Sequence, residues 1–272
     1  MKEDIKLVTF INLLFLTILL FSSALEGAFG KIAYYSAFLI PIALGVYIIL
    51  KRRKMQHGSA DTLKISIKNQ ELIFSAPLFA PTLILILLVS LGTSALMSAF
   101  GIESTYSYSE PFLLAVVIHA LIPAIAEEIL FRYIPIELMR GAKKGTVIIL
   151  SSLFFSFAHA NLFSIPYALF AGIVFAAIDI KTESILPSLI LHFLNNTISL
   201  SLTYSGYIMR LSVIIALGAV SAACAIIIII RRKAYAGAAR ELFTFSRDEL
   251  CPYPLLFVFA SVFIAITNII FS

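Results

Sequence analysis

Long apolar runs recur along nearly the whole sequence, each close to the about 20 residues that a helix needs to cross a bilayer. Hydrophobic residues make up 61% of the 272-residue chain and charged residues 13%, whereas soluble domains average about 45–50% and about 25%. Inside a bilayer every backbone polar group needs a partner within the protein, so a spanning run folds as a helix. The sequence therefore predicts an all-α fold, a polytopic transmembrane helical bundle forming a single domain over residues 1–272.

Hydropathy and turn signals divide the chain into nine apolar segments, which predicts about eight or nine spans. The third and fourth segments exceed the bilayer thickness, so they must tilt, protrude or kink, with Pro81 and Pro123 as candidate kinks. The fifth and sixth are short and fit a pair packed inside the bundle. The first continues to about Leu25, longer than a signal-peptide core, and we expect a retained span. The segments are 7–25, 32–50, 72–100, 111–138, 146–160, 167–180, 185–206, 208–230 and 254–271.

Basic residues set the expected orientation. Of the 20 lysines and arginines, 17 fall on one side of the membrane when the N-terminus is cytoplasmic. They include the runs at 51–54 and 231–233, whereas Lys31 and Arg210 fall on the other side. This asymmetry is the positive-inside pattern. We therefore expect a multi-pass protein of a prokaryotic plasma membrane, whose net charge of +5 reflects topology and lipid contact rather than binding to nucleic acid.

The stretch AEEILFRYIP, residues 126–135, places three charged side chains inside the fourth apolar segment. Each charge at the centre of a membrane helix costs about 2.5–3.5 kcal/mol on insertion scales, so such residues face the bundle interior and mark function. Glu128 and Arg132 are four residues apart, the spacing of a helical ion pair. Glu127 points about 100° away from Glu128 and has no local cationic partner.

Polar residues in two later segments share helix faces in the same way. His159 lies four residues after Phe155, and Asn196 lies four residues after His192, so each pair faces one direction. We interpret the lone His119 as a structural residue, and Asn195 too, because its face diverges from that of Asn196.

Several other catalytic patterns are absent from the sequence. Phosphate-binding loops, HExxH zinc helices, and the aspartate and serine motifs of other proteases do not occur. Asp179 is the one aspartate near a predicted span, and its place at the cytoplasmic border excludes a catalytic aspartate dyad.

The three motifs together resemble those of the CPBP intramembrane proteases, which include CAAX prenyl endopeptidases and bacteriocin-processing and immunity (Abi-like) proteins. The family pattern is EExxxR, then FxxxH, then HxxxN or HxxxD. Here it reads EEILFR, FSFAH and HFLNN, in the same order on three separate spans within about residues 111–206. Two departures are visible: Tyr133 stands where glycine is common, and the segment before His192 fits loosely. Neither touches a motif residue.

The resemblance implies peptide-bond hydrolysis in an active-site cavity within the membrane, acting on a peptide or membrane-protein substrate. Glu127 and His159 would hold and deprotonate the attacking water, and His192 with Asn196 would donate to the oxyanion. Glu128, Arg132 and Phe155 would support this site. A carboxylate in an apolar cavity suits this role, because desolvation disfavours its charged form and makes it a stronger base.

Three alternatives use the same residues. Glu127, His159 and His192 match the ligand types of a catalytic Zn²⁺ site with water in the fourth position, although we prefer a reaction without a cofactor. The second alternative is a non-catalytic immunity or peptide-binding protein. The third is an ion-coupled transporter, but the internal repeat that many transporters have is not evident in the sequence.

Overall fold

Ten helices and the short 3₁₀ helix Arg247–Glu249 account for the helical structure in the part of the chain that the computed structural model describes, namely residues 1–23, 25, 27–55, 69–102, 108–205 and 207–271. The predicted inner lysines Lys64 and Lys68 lie outside these residues. The helices are α1 Lys2–Ser23, α2 Gly27–Met55, α3 Asn69–Ala99, α4 Phe112–Leu138, α5 Lys144–Ala158, α6 Ile165–Thr182, α7 Leu186–Tyr204, α8 Tyr207–Ile230, α9 Arg232–Leu242 and α10 Tyr253–Phe271.

The long helix α4 is continuous but twice widens from α-helical to π-helical geometry, over Val116–Leu121 and Ile129–Tyr133. A proline follows each π-helical stretch two residues later, at Pro123 and Pro135. Proline has no N–H, so it leaves the carbonyl four residues earlier without its α-helical donor. Behind Pro135 the freed carbonyl belongs to Phe131, and the hydroxyl of Ser151 and Nη1 of Arg132 both donate to it. The prolines therefore reshape α4 next to its charged residues.

Helices α4, α5, α6 and α7 form the centre of the bundle. Helices α1, α2 and α10 cover one flank, with α1 against α2 and α10, and α3 with α8 covers the other, α3 lying against α6. Helices α5 and α6 pack against each other so closely that a Cβ on Gly172 would lie 3.0 Å from Cα of Ser152. Glycine at this position therefore permits the approach of the two short helices.

The observed helices confirm the predicted all-α polytopic bundle, because every predicted span falls on a helix. Six helices are long and apolar enough to cross a membrane by length and composition, and Lys144–Ala158 and Tyr253–Ile269 are shorter apolar helices. Helix α7 lies outside both groups because its sequence carries the polar side chains of the third motif. Helix α9, a short amphipathic helix, was not predicted from the sequence and lies in a segment expected to be a loop.

Helix α9 and the residues after it tie together the ends of several central helices. Glu241 accepts from Lys144 at 2.5 Å and from Lys181 at 2.7 Å, which links α9 to α5 and α6. Tyr235 donates to the carbonyl of Phe74 at 3.0 Å, which links α9 to α3. Further along, the carboxylate of Glu249 accepts from the backbone N–H of residue 143 and the hydroxyl of residue 146, at the N-terminus of α5. This segment braces the end of the bundle that carries most basic residues.

The Glu241 link predicts a pH-dependent contribution to stability. The two lysines lower the pKa of Glu241 from 4.5 to about 2. A carboxylate whose pKa is lower in the folded state stabilises the fold fully above its unfolded pKa, and this contribution is lost as pH falls through the folded value. We expect the stability difference between wild type and Glu241→Gln to be constant above pH 4.5 and to disappear towards pH 2. Thermal unfolding in detergent at several pH values measures it, and a difference that persists unchanged at pH 2 contradicts the link.

Cysteine labelling tests the predicted orientation. The exposed residues Lys54, in the last turn of α2, and Phe100, directly after α3, both mark C-terminal helix ends. Because α2 and α3 are predicted as successive spans, these two ends should lie on opposite sides of the membrane. In a variant with Cys224 and Cys251 replaced by serine, we expect an impermeant maleimide to label Phe100→Cys in intact cells and Lys54→Cys only after lysis. The reverse pattern overturns the positive-inside assignment.

Candidate active site

The two glutamates stand at the point where α4 changes from α-helical to π-helical, since Glu128 is the last residue before the stretch Ile129–Tyr133. A π-helix bonds residue i to i+5, so residues four apart no longer stack directly. Glu128 and Arg132 accordingly make a long contact, 3.9 Å between Oε2 and Nε, although both side chains are buried. The ion pair expected from spacing exists, but it is not the closest contact of Glu128.

The closest partners of Glu128 come from α7. Nδ1 of His192 donates to Oε1 of Glu128 at 2.8 Å, and Oγ of Ser188 lies 2.8 Å from Oε2. Ser188 and His192 are four residues apart, so one face of α7 reaches both oxygens. Helix α7 begins at Leu186, directly after Ile185, and Pro187 in its first turn has the fixed φ that suits a helix start. Ser188, one helical turn before His192, therefore belongs to the site together with the third motif, although it was not predicted from the sequence.

Glu127 also reaches His192, from the other side of the ring. Its Oε2 lies 3.6 Å from Nε2 of His192, and its side chain is 16% exposed. The imidazole of His192 thus lies between two carboxylates, Glu128 at Nδ1 and Glu127 at Nε2. Because Nδ1 donates to Glu128, the state of Nε2 decides whether the ring is neutral or carries a proton towards Glu127.

His159 is oriented by its own helix. It follows the last residue of α5, and its Nδ1 lies 2.9 Å from the carbonyl oxygen of Phe155. A carbonyl can only accept, so Nδ1 carries the hydrogen and the neutral ring keeps a lone pair on Nε2. Phe155 and His159 were predicted to share a helix face, and the hydrogen bond from the His159 ring to the backbone carbonyl of Phe155 joins them.

The ring of Phe155 connects the remaining motif residues. It meets the ring of His159 at 5.2 Å and that of His192 at 5.4 Å between centroids, both edge to face. The guanidinium of Arg132 lies 4.2 Å above the centroid of the same ring, and Phe175 lies 5.8 Å from this group. Such stacking is favourable for a desolvated cation. Phe155 therefore fixes three charged or titratable side chains from three helices.

Asn196 lies one turn beyond His192, as expected, and half-buried. Its Oδ1 accepts from Nδ2 of Asn195 at 3.3 Å, so the amide nitrogen of Asn196 remains available to donate elsewhere. Asn195, interpreted from sequence as structural, makes contact with a motif residue and orients its amide. His119 lies apart, with its ring 4.8 Å from that of Tyr108, near the opposite end of α4.

Asp179 lies near the end of α6, as expected, but its contact with the site was not predicted from the sequence. It is fully buried on α6, and its Oδ2 lies 2.8 Å from the same Ser188 hydroxyl that contacts Glu128. The signal was present in the sequence, since Asp179 follows Phe175 and Ala176 at helical spacing on a buried face. Its distance from the helix end suggested the membrane border, but the helix end is covered by α9.

The side chain of Tyr133, at the position where related motifs often have glycine, faces α2. Its hydroxyl accepts from Nη2 of Arg53 at 3.1 Å, and the same nitrogen donates to Glu137 at 3.0 Å. This contact anchors the second π-helical stretch to α2. The tyrosine hydroxyl at this position is therefore used in a contact with α2.

The residues suggested for zinc are of the right type, and the hydrogen bonds made by Nδ1 of His159 and His192 leave a lone pair on Nε2 of each neutral ring. Among the residues whose placement the structure describes, no three His, Cys, Asp or Glu side chains are grouped closely enough to hold a metal ion. Glu127, His159 and His192 would have to come closer together to bind Zn²⁺ as three ligands.

Residues 109–198 match the family model for type II CAAX prenyl endopeptidase Rce1-like proteins. The resemblance to the CPBP proteases is confirmed over this segment, about one third of the chain, which contains all seven motif residues. At the level of the family, the match supports a CAAX-protease-like intramembrane endopeptidase. No curated protein and no solved structure matches the chain.

The contacts predict that Glu128 is coupled more strongly to His192 than to Arg132. A 2.8 Å hydrogen bond between buried groups contributes more than a 3.9 Å contact. Double-mutant cycles on thermal unfolding, with Glu128→Gln, His192→Gln and Arg132→Met, measure both couplings. We expect about 0.5–3 kcal/mol for groups in one network, with the larger value for the histidine pair. Strict additivity of both pairs contradicts the arrangement.

Proposed function

We propose that the protein is an intramembrane endopeptidase that hydrolyses peptide bonds of membrane-associated substrates by a water activated between glutamate and histidine. The observation that carries this proposal is the position of His192 between the carboxylates of Glu127 and Glu128. A scaffold does not need two carboxylates on one imidazole, one of them fully buried, because desolvating a charge is costly. A hydrolase does, because the pair fixes the ring and supplies a base.

Glu127 is the group that takes the proton from water. Its side chain is partly exposed, while Glu128 is sealed and engaged with Ser188 and His192. Of the two carboxylates, Glu127 can therefore meet both water and substrate. His159 keeps a lone pair on Nε2, which accepts one hydrogen of the same water and orients its oxygen.

His192 and Asn196 act on the oxygen of the substrate carbonyl. Attack of water on the carbonyl carbon breaks the C=O π bond and places a negative charge on that oxygen. Nε2–H of His192 and the amide N–H of Asn196 donate to this oxyanion. Glu128 accepts from Nδ1 of His192 and so stabilises the protonated ring. Glu127 then returns its proton to the leaving amine, and the C–N bond breaks as the C=O bond re-forms. The products are a carboxylic acid and an amine, and transfer of the remaining acid proton to the amine gives a carboxylate and an ammonium ion.

The depth of the site fits a substrate that approaches from the side with the basic loops. His192 lies six residues into α7, or about 9 Å at 1.5 Å per residue. Glu128 lies ten residues before the end of α4, or about 15 Å. Both distances are measured from the same end of the bundle, which the basic residues mark as cytoplasmic.

Comparative membrane proteomics tests the function directly. Cells that carry wild type and cells that carry Glu127→Ala should differ in at least one membrane protein, with a precursor that accumulates and a processed terminus that is lost in the variant. The exposed carboxylate Glu183 offers a matched control, since Glu183→Gln should leave the processed terminus intact. An unchanged set of termini with Glu127→Ala contradicts the protease and favours the peptide-binding alternative.

The mechanism predicts which kinetic constant each variant changes. With a substrate identified in this way, Glu127→Gln should lower kcat severely and leave KM nearly constant, because the base acts on the transition state. Asn196→Ala should lower kcat by about 10²–10³-fold, as expected for one oxyanion donor. A rise in KM at constant kcat in either variant contradicts the assigned roles.

Metal analysis of the purified active protein decides the cofactor. We expect activity to persist in the presence of a chelator and with substoichiometric zinc. Stoichiometric zinc that is lost in Glu127→Gln, together with reversible loss of activity on chelation, overturns the assignment of Glu127 as a free base.

A further inference from the structure

The hydroxyl of Ser188 lies among three oxygen atoms, and this places a condition on Asp179. Oγ of Ser188 is 2.8 Å from Oε2 of Glu128, 2.8 Å from Oδ2 of Asp179 and 3.0 Å from the carbonyl oxygen of Ile185. A hydroxyl carries one hydrogen and can donate to one of these atoms only. If both carboxyl groups were ionised, at least one of them would face a lone pair of Ser188 at hydrogen-bond distance.

A proton on one of the two carboxyl groups removes this conflict. A protonated carboxyl group donates its O–H to Oγ of Ser188, and the hydroxyl then donates its own hydrogen to the other carboxylate. The chain of hydrogen bonds would run in one direction, from the acid through Ser188 to the ionised group. The surroundings of the two groups indicate which of them holds the proton.

Glu128 has partners that favour its ionised form. It accepts from Nδ1 of His192, and the guanidinium of Arg132 is 3.9 Å away. For Asp179, no cationic group lies within ion-pair distance among the described residues, and its Oδ1 has no hydrogen-bond partner there. Lys181, two residues later on the same helix, is engaged by Glu241 at the surface. A buried carboxylate without a cation is costly, and a buried neutral acid is much less so.

The geometry points to Asp179 as a neutral carboxylic acid that donates to Ser188 and thereby directs the Ser188 hydroxyl to Glu128. Asp179 is then a positioning residue in a chain that runs from α6 through α7 to α4 and ends on the imidazole of His192. Only the predicted effect of Asp179 on turnover rests on the proposed function. The protonation of Asp179 is a property of the resting protein and can be measured without a substrate.

Infrared spectroscopy tests the protonation directly. The chain has four aspartates, Asp4, Asp61, Asp179 and Asp248. Full-length protein labelled with ¹³C-aspartate, in lipid nanodiscs at neutral pH, should show a carboxylic acid C=O band that shifts with the label. The band should be absent in Asp179→Asn and unchanged in Asp248→Asn, a control at an exposed position. Absence of the band in the wild type, or its persistence in Asp179→Asn, overturns the proposal.

Two substitutions at Asp179 separate positioning from bulk packing. Asp179→Asn keeps a neutral donor, because its amide N–H replaces the acid O–H towards Ser188, whereas Asp179→Leu has similar size and no donor. We expect Asp179→Leu to lower kcat by tenfold or more, on the order of one lost orienting hydrogen bond, and Asp179→Asn to lower it far less. KM should be similar in both. Equal losses in the two variants overturn the positioning role even if the infrared band is present.

The infrared and kinetic measurements also distinguish failure of this proposal from failure of the proposed function. If the wild type and Asp248→Asn show no peptidase activity, the proposed function fails, and the infrared result alone decides the state of Asp179. If activity is present and the band is missing, the proposed function stands and Asp179 is ionised.

Discussion

The buried carboxylate of Glu128 is the constraint on which the centre of this protein depends. Removing a charge from water without partners costs several kcal/mol, and an apolar bundle offers few groups that can compensate. Here His192 and Ser188 from α7 and Arg132 from α4 surround Glu128. Because these partners sit on different helices, helices α4 and α7 must take one relative position for the charge to be tolerated. The packing of the central helices and the geometry of the site thus have the same cause.

Phe155 explains why an apolar side chain belongs to a motif of polar residues. Arg132 cannot be fully compensated by Glu128, since Nε and Nη2 have no hydrogen-bond partner among the described residues. The aromatic face of Phe155 takes up part of this charge, and its edge sets the distance to both histidines. A leucine would be apolar too, but it offers no quadrupole to a cation. The spacing of FxxxH is then explained, since one helical turn separates the ring that stacks on Arg132 from the half-buried ring of His159.

Much of this arrangement could be predicted from the sequence, because hydropathy and helical periodicity are local properties. Apolar runs give the helices, and a spacing of four places Phe155 with His159 and His192 with Asn196. Contacts between segments distant in sequence could not be predicted in this way. Asp179 and Glu128 are 51 positions apart in sequence, and they meet only because α6 and α7 pack side by side. The long distance between Glu128 and Arg132 could not be predicted either. It depends on a π-helical stretch, whereas the spacing of four residues predicts a contact only for α-helical geometry.

The turn after α5 follows from the short length of that helix and carries His159 at its start. Helix α5 has 15 residues and is therefore about 22 Å long, less than the about 30 Å of a hydrocarbon core. Its end, with His159, then lies inside the membrane, where Ala160 takes a left-handed φ of 44°. Irregular backbone at that depth is tolerated only if it is buried in protein or borders water. On one side of the turn, protein groups bond to the backbone. The side chain of Asn161 accepts from the N–H of Phe163 at 2.8 Å, and Ser261 of α10 donates to the carbonyl of Phe157. The other side of the turn holds the half-buried ring of His159. The break that the short helix forces on the chain therefore places the histidine proposed to orient water at the depth of the membrane.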